Sequence, residues 1–229
     1  MFFPVFRDEA TIDCVAQKAL RVLAEIADAF EIVIVDDGSP DRSGDLADRW
    51  AAQHENIRVV HHDRNLGYGQ ALKSGFRTAN RYEWVCFTDG DDQYDLYELR
   101  QLVSLLPHHD LVITFRRAKT YGVLRVIISG TYNALIRWLF GVRFRDLSGG
   151  LKLARREVLD NLAITSDSPF ICGEIVVRAA LKGYRIAEAG ISMYPRKQGR
   201  TSIVNLRNIL ASLQDMWRVH REEFSNRPR

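Results

Sequence analysis

The sequence predicts an α/β domain built on a mostly parallel sheet flanked by helices. Apolar runs of strand length alternate with helical periods through its first half, the pattern of βαβ units. Those runs end in turn signals dense in Asp, Gly and Pro, and 229 residues fit one large domain with a sizeable core. No repeat, low-complexity tract or linker divides the chain. It is read as one domain over residues 1–229, with a first half to about residue 115 and a second half beyond it.

Only Met1-Phe2-Phe3 precedes Pro4, which makes a marginal opening strand and raises the expectation of a start further upstream. Ile32-Val33-Ile34-Val35 reads as a buried strand, followed by the turn Asp36-Asp37-Gly38-Ser39-Pro40. A polar helix is expected over Arg42–Gln53, a strand at Ile57–Val60 and a helix over Gln70–Ala79 introduced by Asn65-Leu66-Gly67-Tyr68-Gly69. The strand Trp84–Thr88 follows, then a helix over Leu96–Leu106 stopped by Pro107, and a strand at Asp110–Thr114. The second half is less regular. It gives a long helix over Tyr121–Phe140, short strands near Leu151–Leu153 and Arg185–Met193, and helices near Glu174–Leu181 and Val204–Val219.

A net charge of +3 is too mild to argue for nucleic acid, and the composition, 46% hydrophobic and 27% charged, is that of a soluble globular protein. Cys14, Cys86 and Cys172 are scattered without metal-ligand spacing and read as reduced core thiols. No apolar run approaches the roughly 20 residues of a membrane span, and no signal peptide is visible. The expected location is the cytoplasm, including the cytoplasmic face of a membrane; the oligomeric state is left open.

The most informative stretch is Trp84–Thr88 followed at once by Asp89-Gly90-Asp91-Asp92-Gln93. Hard oxygen ligands delivered to a turn suit Mg2+ or Mn2+ bridging a substrate's phosphates. The end of a buried strand is also where open α/β sheets bind ligands. Two further acidic turns, Pro4-Val5-Phe6-Arg7-Asp8-Glu9 and Asp36-Asp37-Gly38-Ser39-Pro40-Asp41, can accept hydrogen bonds from a base edge or ribose hydroxyls. Taken singly, each reads first as a helix N-cap. Arg116-Arg117 and Arg196-Lys197-Gln198-Gly199-Arg200 follow strand signals and could clamp phosphate, or serve as solubilising surface charge.

Taken in order, these segments resemble a family 2 glycosyltransferase of the GT-A fold, of the dolichyl- or polyprenyl-phosphate sugar transferase type. The resemblance runs from Pro4 to about Ser202. Glu31–Pro40 is similar to that family's strand and Asp-Asp-Gly-Ser-Pro turn, and Asn65-Leu66-Gly67-Tyr68-Gly69 with Ala71 to its helix entry. Asp89-Gly90-Asp91-Asp92-Gln93 stands where the family has Asp-Ala-Asp-Leu-Gln. Asp146-Leu147-Ser148-Gly149-Gly150-Leu151-Lys152-Leu153 resembles its acceptor-side segment, and Glu188-Ala189-Gly190-Ile191 with Arg196 and Gly199 its closing stretch.

That resemblance implies that Pro4, Phe6, Asp8, Val35 and Asp37 hold the nucleotide together with Asp89 and Gly90. It implies that Asp89, Asp91 and Gln93 hold the divalent metal, and Arg116 and Arg196 the diphosphate. Asp8 stands for the family's glutamate, Phe6 lacks a tyrosine hydroxyl, and Ser202 and Gly130 replace basic residues of mannosyltransferases, so the donor is left as a GDP- or UDP-hexose.

The implied reaction is an inverting single displacement onto a polyprenyl phosphate, with Asp91 among the catalytic residues. A phosphomonoester with a second pKa of about 6 needs no base. A soluble or glycan hydroxyl acceptor is the alternative and would need one, for which Asp146 and Glu174 are the candidates. A sugar-nucleotide pyrophosphorylase is set low because the first loop has no glycine, and a non-catalytic sugar-nucleotide-binding homologue is the remaining reading. The apolar and basic segment Val123–Phe144, with Arg125, Arg137, Arg143 and Arg145, reads either as cover for the sheet or as a peripheral membrane contact.

Overall fold

The computed structural model describes residues 1–117, 123–195 and 206–225, with the backbone alone for 123–125. Seven strands form one sheet: β1 (Phe2–Val5), β2 (Ile32–Asp36), β3 (Ile57–His61), β4 (Trp84–Phe87), β5 (Leu111–Arg116), β6 (Lys152–Arg155) and β7 (Ile186–Ile191). Their spatial order is β3-β2-β1-β4-β6-β5-β7, and every neighbouring pair is parallel except those made by β6. Both halves of the chain contribute strands to this sheet, as the single-domain α/β expectation requires.

Side-chain alternation along the central strands separates two cores. Phe2, Val33 and Val35 face one, with Phe76 and Phe87; the edge-to-face rings of Phe2–Phe76 and Phe76–Phe87 lie 5.0 and 5.2 Å apart. On that side lie α3 (Tyr68–Thr78), α5 (Val123–Phe140), α7 (Ile171–Leu181) and α8 (Leu206–Phe224). Phe3, Val5, Ile32 and Ile34 face the other core, which is covered by α1 (Ile12–Ile26), α2 (Ser43–Gln53) and α4 (Leu99–Val103). In α1 the buried Ile12, Val15, Ala16, Ala19, Val22 and Leu23 recur at helical spacing, which is why this segment seals a sheet face.

Three elements differ from expectation. The opening strand is not marginal: β1 is fully buried and pairs with β2 along its whole length. It meets β4 only at Phe2↔Phe87, so Pro4, which has no N–H to give, falls where the two strands have parted. Residues 96–108 are not one helix. A 3-10 turn at Leu96–Glu98, capped by the Asp95 carboxylate, runs into α4, and Pro107 lies inside a second 3-10 turn, Leu106–His108. Proline is tolerated in a first turn because no hydrogen bond is asked of it there. The short helix α6 (Arg156–Asn161) carries no strong periodicity and was not foreseen.

Candidate functional site

The parting of β1 and β4 opens a cleft at the carboxyl ends of the parallel strands. It has a volume of about 590 Å³ and is floored by Pro4, Phe6, Asp8, Asp37, Asn65, Asp89, Gly90 and Asp91. Its far wall is Asp167–Pro169 with Arg207, Asn208, Ala211, Gln214 and Asp215 from α8. A second cleft of about 520 Å³ runs between α5 and α8. Ile127, Ile128, Leu135, Ile209, Leu213 and Met216 make most of its wall apolar, while Gln93, Arg116, Ser148 and three tyrosines are among its polar groups. Tyr68, Asp89, Asp91, Pro169 and Asn208 belong to both. The two clefts therefore meet at the Asp89–Asp91 turn.

The loops that deliver these groups are held by side chain to main chain bonds. Thr11 Oγ1 donates to Gly90 O at 2.9 Å, and the Gly90 Cα lies against Pro4 O with no room for a Cβ. Asp91 Oδ1 accepts from Gln93 N at 3.2 Å. Asp92 turns the chain with φ 55° and pairs with Lys18 Nζ at 2.6 Å. Gln93 Nε2 donates to Tyr194 O at 3.0 Å, so its amide oxygen is the end that can accept or ligate. Asp89 Oδ1 accepts from the Tyr68 hydroxyl at 2.8 Å. Burial, reinforced by the Asp89 charge, pushes the Tyr68 phenol well above its ordinary pKa, so it stays a donor.

Several expected residues are brought to the first cleft: Pro4, Phe6, Asp8, Asp37, Asp89, Gly90 and Asp91 all line it. Asp37, however, spends its carboxylate on the protein. It accepts from Leu66 N and Gly67 N at 2.9 Å each and contacts His62 Nδ1 at 2.7 Å, which shapes the entry to α3. Val35 lines neither cleft. It is paired with Pro4 and Val60 and fully buried, because strand alternation turns it into the core. Gln93 and Arg116 line the second cleft rather than the first. Arg196 lies outside the described residues.

The two candidate bases are structural. Glu174 is completely buried; it accepts from Thr165 N (3.0 Å) and Ser166 N (2.9 Å) and pairs with Arg178 at 2.8 Å. Burial alone would raise its pKa, but the bonds from Thr165, Ser166 and Arg178 outweigh that and hold it below the ordinary range. The expectation that Glu174 acts as a base is therefore corrected. Asp146 Oδ1 caps Ser148 through N (3.0 Å) and Oγ (2.8 Å), and its Oδ2 lies 3.5 Å from Arg116 Nε. Neither acid lines a cleft.

Sequence reasoning missed the α8 wall, which has no motif, and Tyr68, which lay unremarked inside a quoted motif. Among the described residues no three His, Cys, Asp or Glu side chains converge. The oxygen set at the junction is two carboxylates and an amide. This fits a hard cation that keeps positions for phosphate oxygens and water.

Comparison with known proteins agrees. Residues 4–163 match the family described as Glycosyl transferase family 2. The chain is 30% identical over 217 residues to glycosyltransferase AglD of Haloferax volcanii, covering 90% of this chain and 34% of that protein. It is 32% identical over 211 residues to polyprenol monophosphomannose synthase of Mycolicibacterium smegmatis, covering 87% of this chain and 78% of that one. It is 29% identical over 183 residues to undecaprenyl-phosphate mannosyltransferase of Micrococcus luteus, covering 76% and 75%. The chain thus spans about a third of the first relative and three quarters of the others.

Among solved structures, glucosyl-3-phosphoglycerate synthase from Mycobacterium tuberculosis, in complex with Mn2+, uridine diphosphate and glucosyl-3-phosphoglycerate, superposes with a TM-score of 0.71 at 19% identity. The match covers 99% of this chain and 80% of that one, and the shared architecture is the expected GT-A fold. With the family match over most of its length, a strand-end acid turn at the meeting of two clefts and relatives at 30% and 32% identity, the chain belongs to glycosyl transferase family 2.

Proposed function

We propose that this chain transfers a hexose from a nucleoside diphosphate sugar held in the first cleft to a polyprenyl phosphate whose chain occupies the second. The observation that carries this reading is the meeting of a carboxylate-lined cleft and a largely apolar one at Asp89 and Asp91. Asp89, Asp91 and the Gln93 amide oxygen would hold Mg2+ or Mn2+, which when bound stabilises charge on the departing diphosphate. Phe6 and Asp8 would meet the nucleoside, with the Asp37-held loop forming the cleft floor beside them. Arg116, steadied by Asp146, is the cation for phosphate charge in the second cleft. Arg196 is expected beside the diphosphate by the resemblance alone.

The phosphate acceptor follows from the bases. With Glu174 and Asp146 committed to the scaffold, an acceptor already ionised at neutral pH is favoured over a hydroxyl. One acceptor phosphate oxygen bonds to the sugar's anomeric carbon as the bond to the diphosphate oxygen breaks, with its electron pair leaving on the diphosphate. No proton needs to move. Attack opposite the leaving group inverts the centre.

The names of the two polyprenol and undecaprenyl-phosphate relatives support the acceptor class, and the Mn2+ and uridine diphosphate in the solved neighbour support the cation and donor class. Contact with a membrane surface is part of the reading. Ile127, Ile128, Ile209 and Leu213 line the second cleft and are also exposed, and Leu206, Leu210 and Trp217 extend that apolar rim along α8. No described helix is long and apolar enough to cross a membrane.

The test is transfer of labelled sugar from UDP- and GDP-hexoses, with Mn2+, to undecaprenyl phosphate in detergent. Organic-phase product is expected. Label appearing only on water or on a soluble glycan, across all donors, would refute the acceptor assignment.

A further inference from the structure

The Asp89 carboxylate is boxed from two sides by groups that no cation or phosphate would need to touch. Tyr68 is the first residue of α3, and its ring packs against the core that also holds Phe87. Its hydroxyl reaches Asp89 Oδ1 at 2.8 Å and lies 3.5 Å from Cys172 Sγ. A phenol carries one proton and an ionised carboxylate can only accept. The Tyr68 proton therefore goes to Asp89, and the Cys172 thiol is left to donate to the phenol oxygen.

On the opposite side, Gly150 presents its Cα to Asp89 Oδ2, and a Cβ there would overlap the carboxylate. Gly150 cannot retreat easily: its N–H donates to the Tyr94 hydroxyl at 2.8 Å, and the preceding Gly149 carbonyl is held by the fully buried Lys152 ammonium. Thr114 Oγ1 anchors the next carbonyl, that of Leu151, at 2.7 Å. Asp91 is held differently, with its Oδ1 accepting from Gln93 N of its own turn.

We infer that Tyr68 is a positioning residue for cation binding, fixing the Asp89 carboxylate from one side while Gly150 closes the other. The inference rests on the reading of Asp89 as a cation ligand. Groups behind a metal ligand set its orientation, and their loss costs about 10- to 100-fold in metal affinity or activity. Tyr68 also belongs to both clefts, so it forms part of the sill between them. Its position carries no sequence signal of its own, because the turn before α3 needs only the glycines around it.

The experiment is Tyr68→Phe, which keeps the ring and removes one hydroxyl, with Gly150→Ala as the second variant. MnCl2 is titrated by calorimetry into each protein, alone and with UDP or GDP, and circular dichroism melting verifies folding. Mn2+ affinity is expected to fall about 10- to 100-fold in Tyr68→Phe. Metal-free nucleotide affinity should stay within about twofold, and turnover should recover as Mn2+ is raised, so that the metal constant moves more than kcat. Gly150→Ala should weaken Mn2+ binding in the same direction.

A parent that binds Mn2+ and a folded Tyr68→Phe that matches it within twofold would overturn the role of Tyr68 while leaving the cation reading in place. If Tyr68→Phe fails to fold, unchanged Mn2+ affinity in Gly150→Ala overturns the cradle. A parent that binds no Mn2+, with or without nucleotide, overturns the reading of Asp89 and this inference together.

Discussion

Asp89 and Asp91 face open clefts, whereas Glu174 and Asp146 are built into the scaffold behind them. Asp89, Asp91 and Asp146 lie in polar turns and Glu174 in the apolar helix α7, yet residue type alone does not separate the four acids. What separates them is how their lone pairs are used. Glu174 serves Thr165, Ser166 and Arg178, and Arg178 in turn holds Glu222 and Glu223 of α8. Asp215 accepts from Asp167 N and Ser168 N, so the 165–168 loop is gripped from α7 and α8 at once. That clamp sets the cleft wall; the β4 turn supplies the chemistry.

The sharpest way to break the comparison is to neutralise one acid in each region. Asp91→Asn should lower metal-dependent turnover by on the order of 10³-fold, because a lost carboxylate ligand removes several kcal/mol of charge stabilisation. Its unfolding midpoint should hardly move. Wild-type turnover in Asp91→Asn with Mn2+ supplied would remove the assignment. Glu174→Gln should do the reverse, destabilising by about 3 kcal/mol in urea titration. This is the low end for a broken buried pair, since Arg178 keeps Glu222 and Glu223. Activity per folded molecule should survive in Glu174→Gln, and a loss as deep as that of Asp91→Asn would restore Glu174 as a base.

The same contrast explains what could be read from the chain. The parallel half was legible because βαβ periodicity and strand-end turns are local signals, and Ile32–Asp36 and Ile57–His61 fall where their apolar runs do. The acid turn was legible for the same reason. Val35 was not, since which face a strand residue takes depends on register. The partners of Glu174 and Asp146 were not foreseen, because most of them come from outside each acid's own segment: Thr165 and Ser166 from the loop before α7 for one, Arg116 from β5 for the other. The α8 wall is tertiary too, with no pattern beyond an amphipathic helix.

A smaller effect sharpens the role of the second cleft. Trp217 and Leu210 are exposed on α8 and line neither cleft. Leu210→Glu should reduce co-sedimentation with anionic vesicles by about tenfold, the equivalent of burying part of one apolar side chain. Equal sedimentation of parent and variant, or none by the parent, would separate the apolar cleft from any lipid surface and leave the acceptor to detergent assays alone.

The smallest effect lies at the edge of the first cleft's scaffold, where His61 bridges Asp36 Oδ2 at 3.0 Å and Asp48 Oδ1 at 2.9 Å. Hydrogen bonds to Asp36 and then Asp48 raise its pKa above the ordinary value. Because the folded state favours the protonated ring, the stabilisation is complete below the unfolded value of about 6.5 and is lost as pH rises through the folded one. Glu174 has the opposite sign: its contribution is present above the unfolded carboxyl value and is lost as pH falls through the depressed one. With 44% of its side chain exposed, His61 contributes no more than about 1 kcal/mol after screening. Urea midpoints of the parent and His61→Ala should therefore differ near pH 5 and converge as pH rises through the raised folded value, and a gap that stays constant would show that packing, not the charge on the ring, is what His61 supplies.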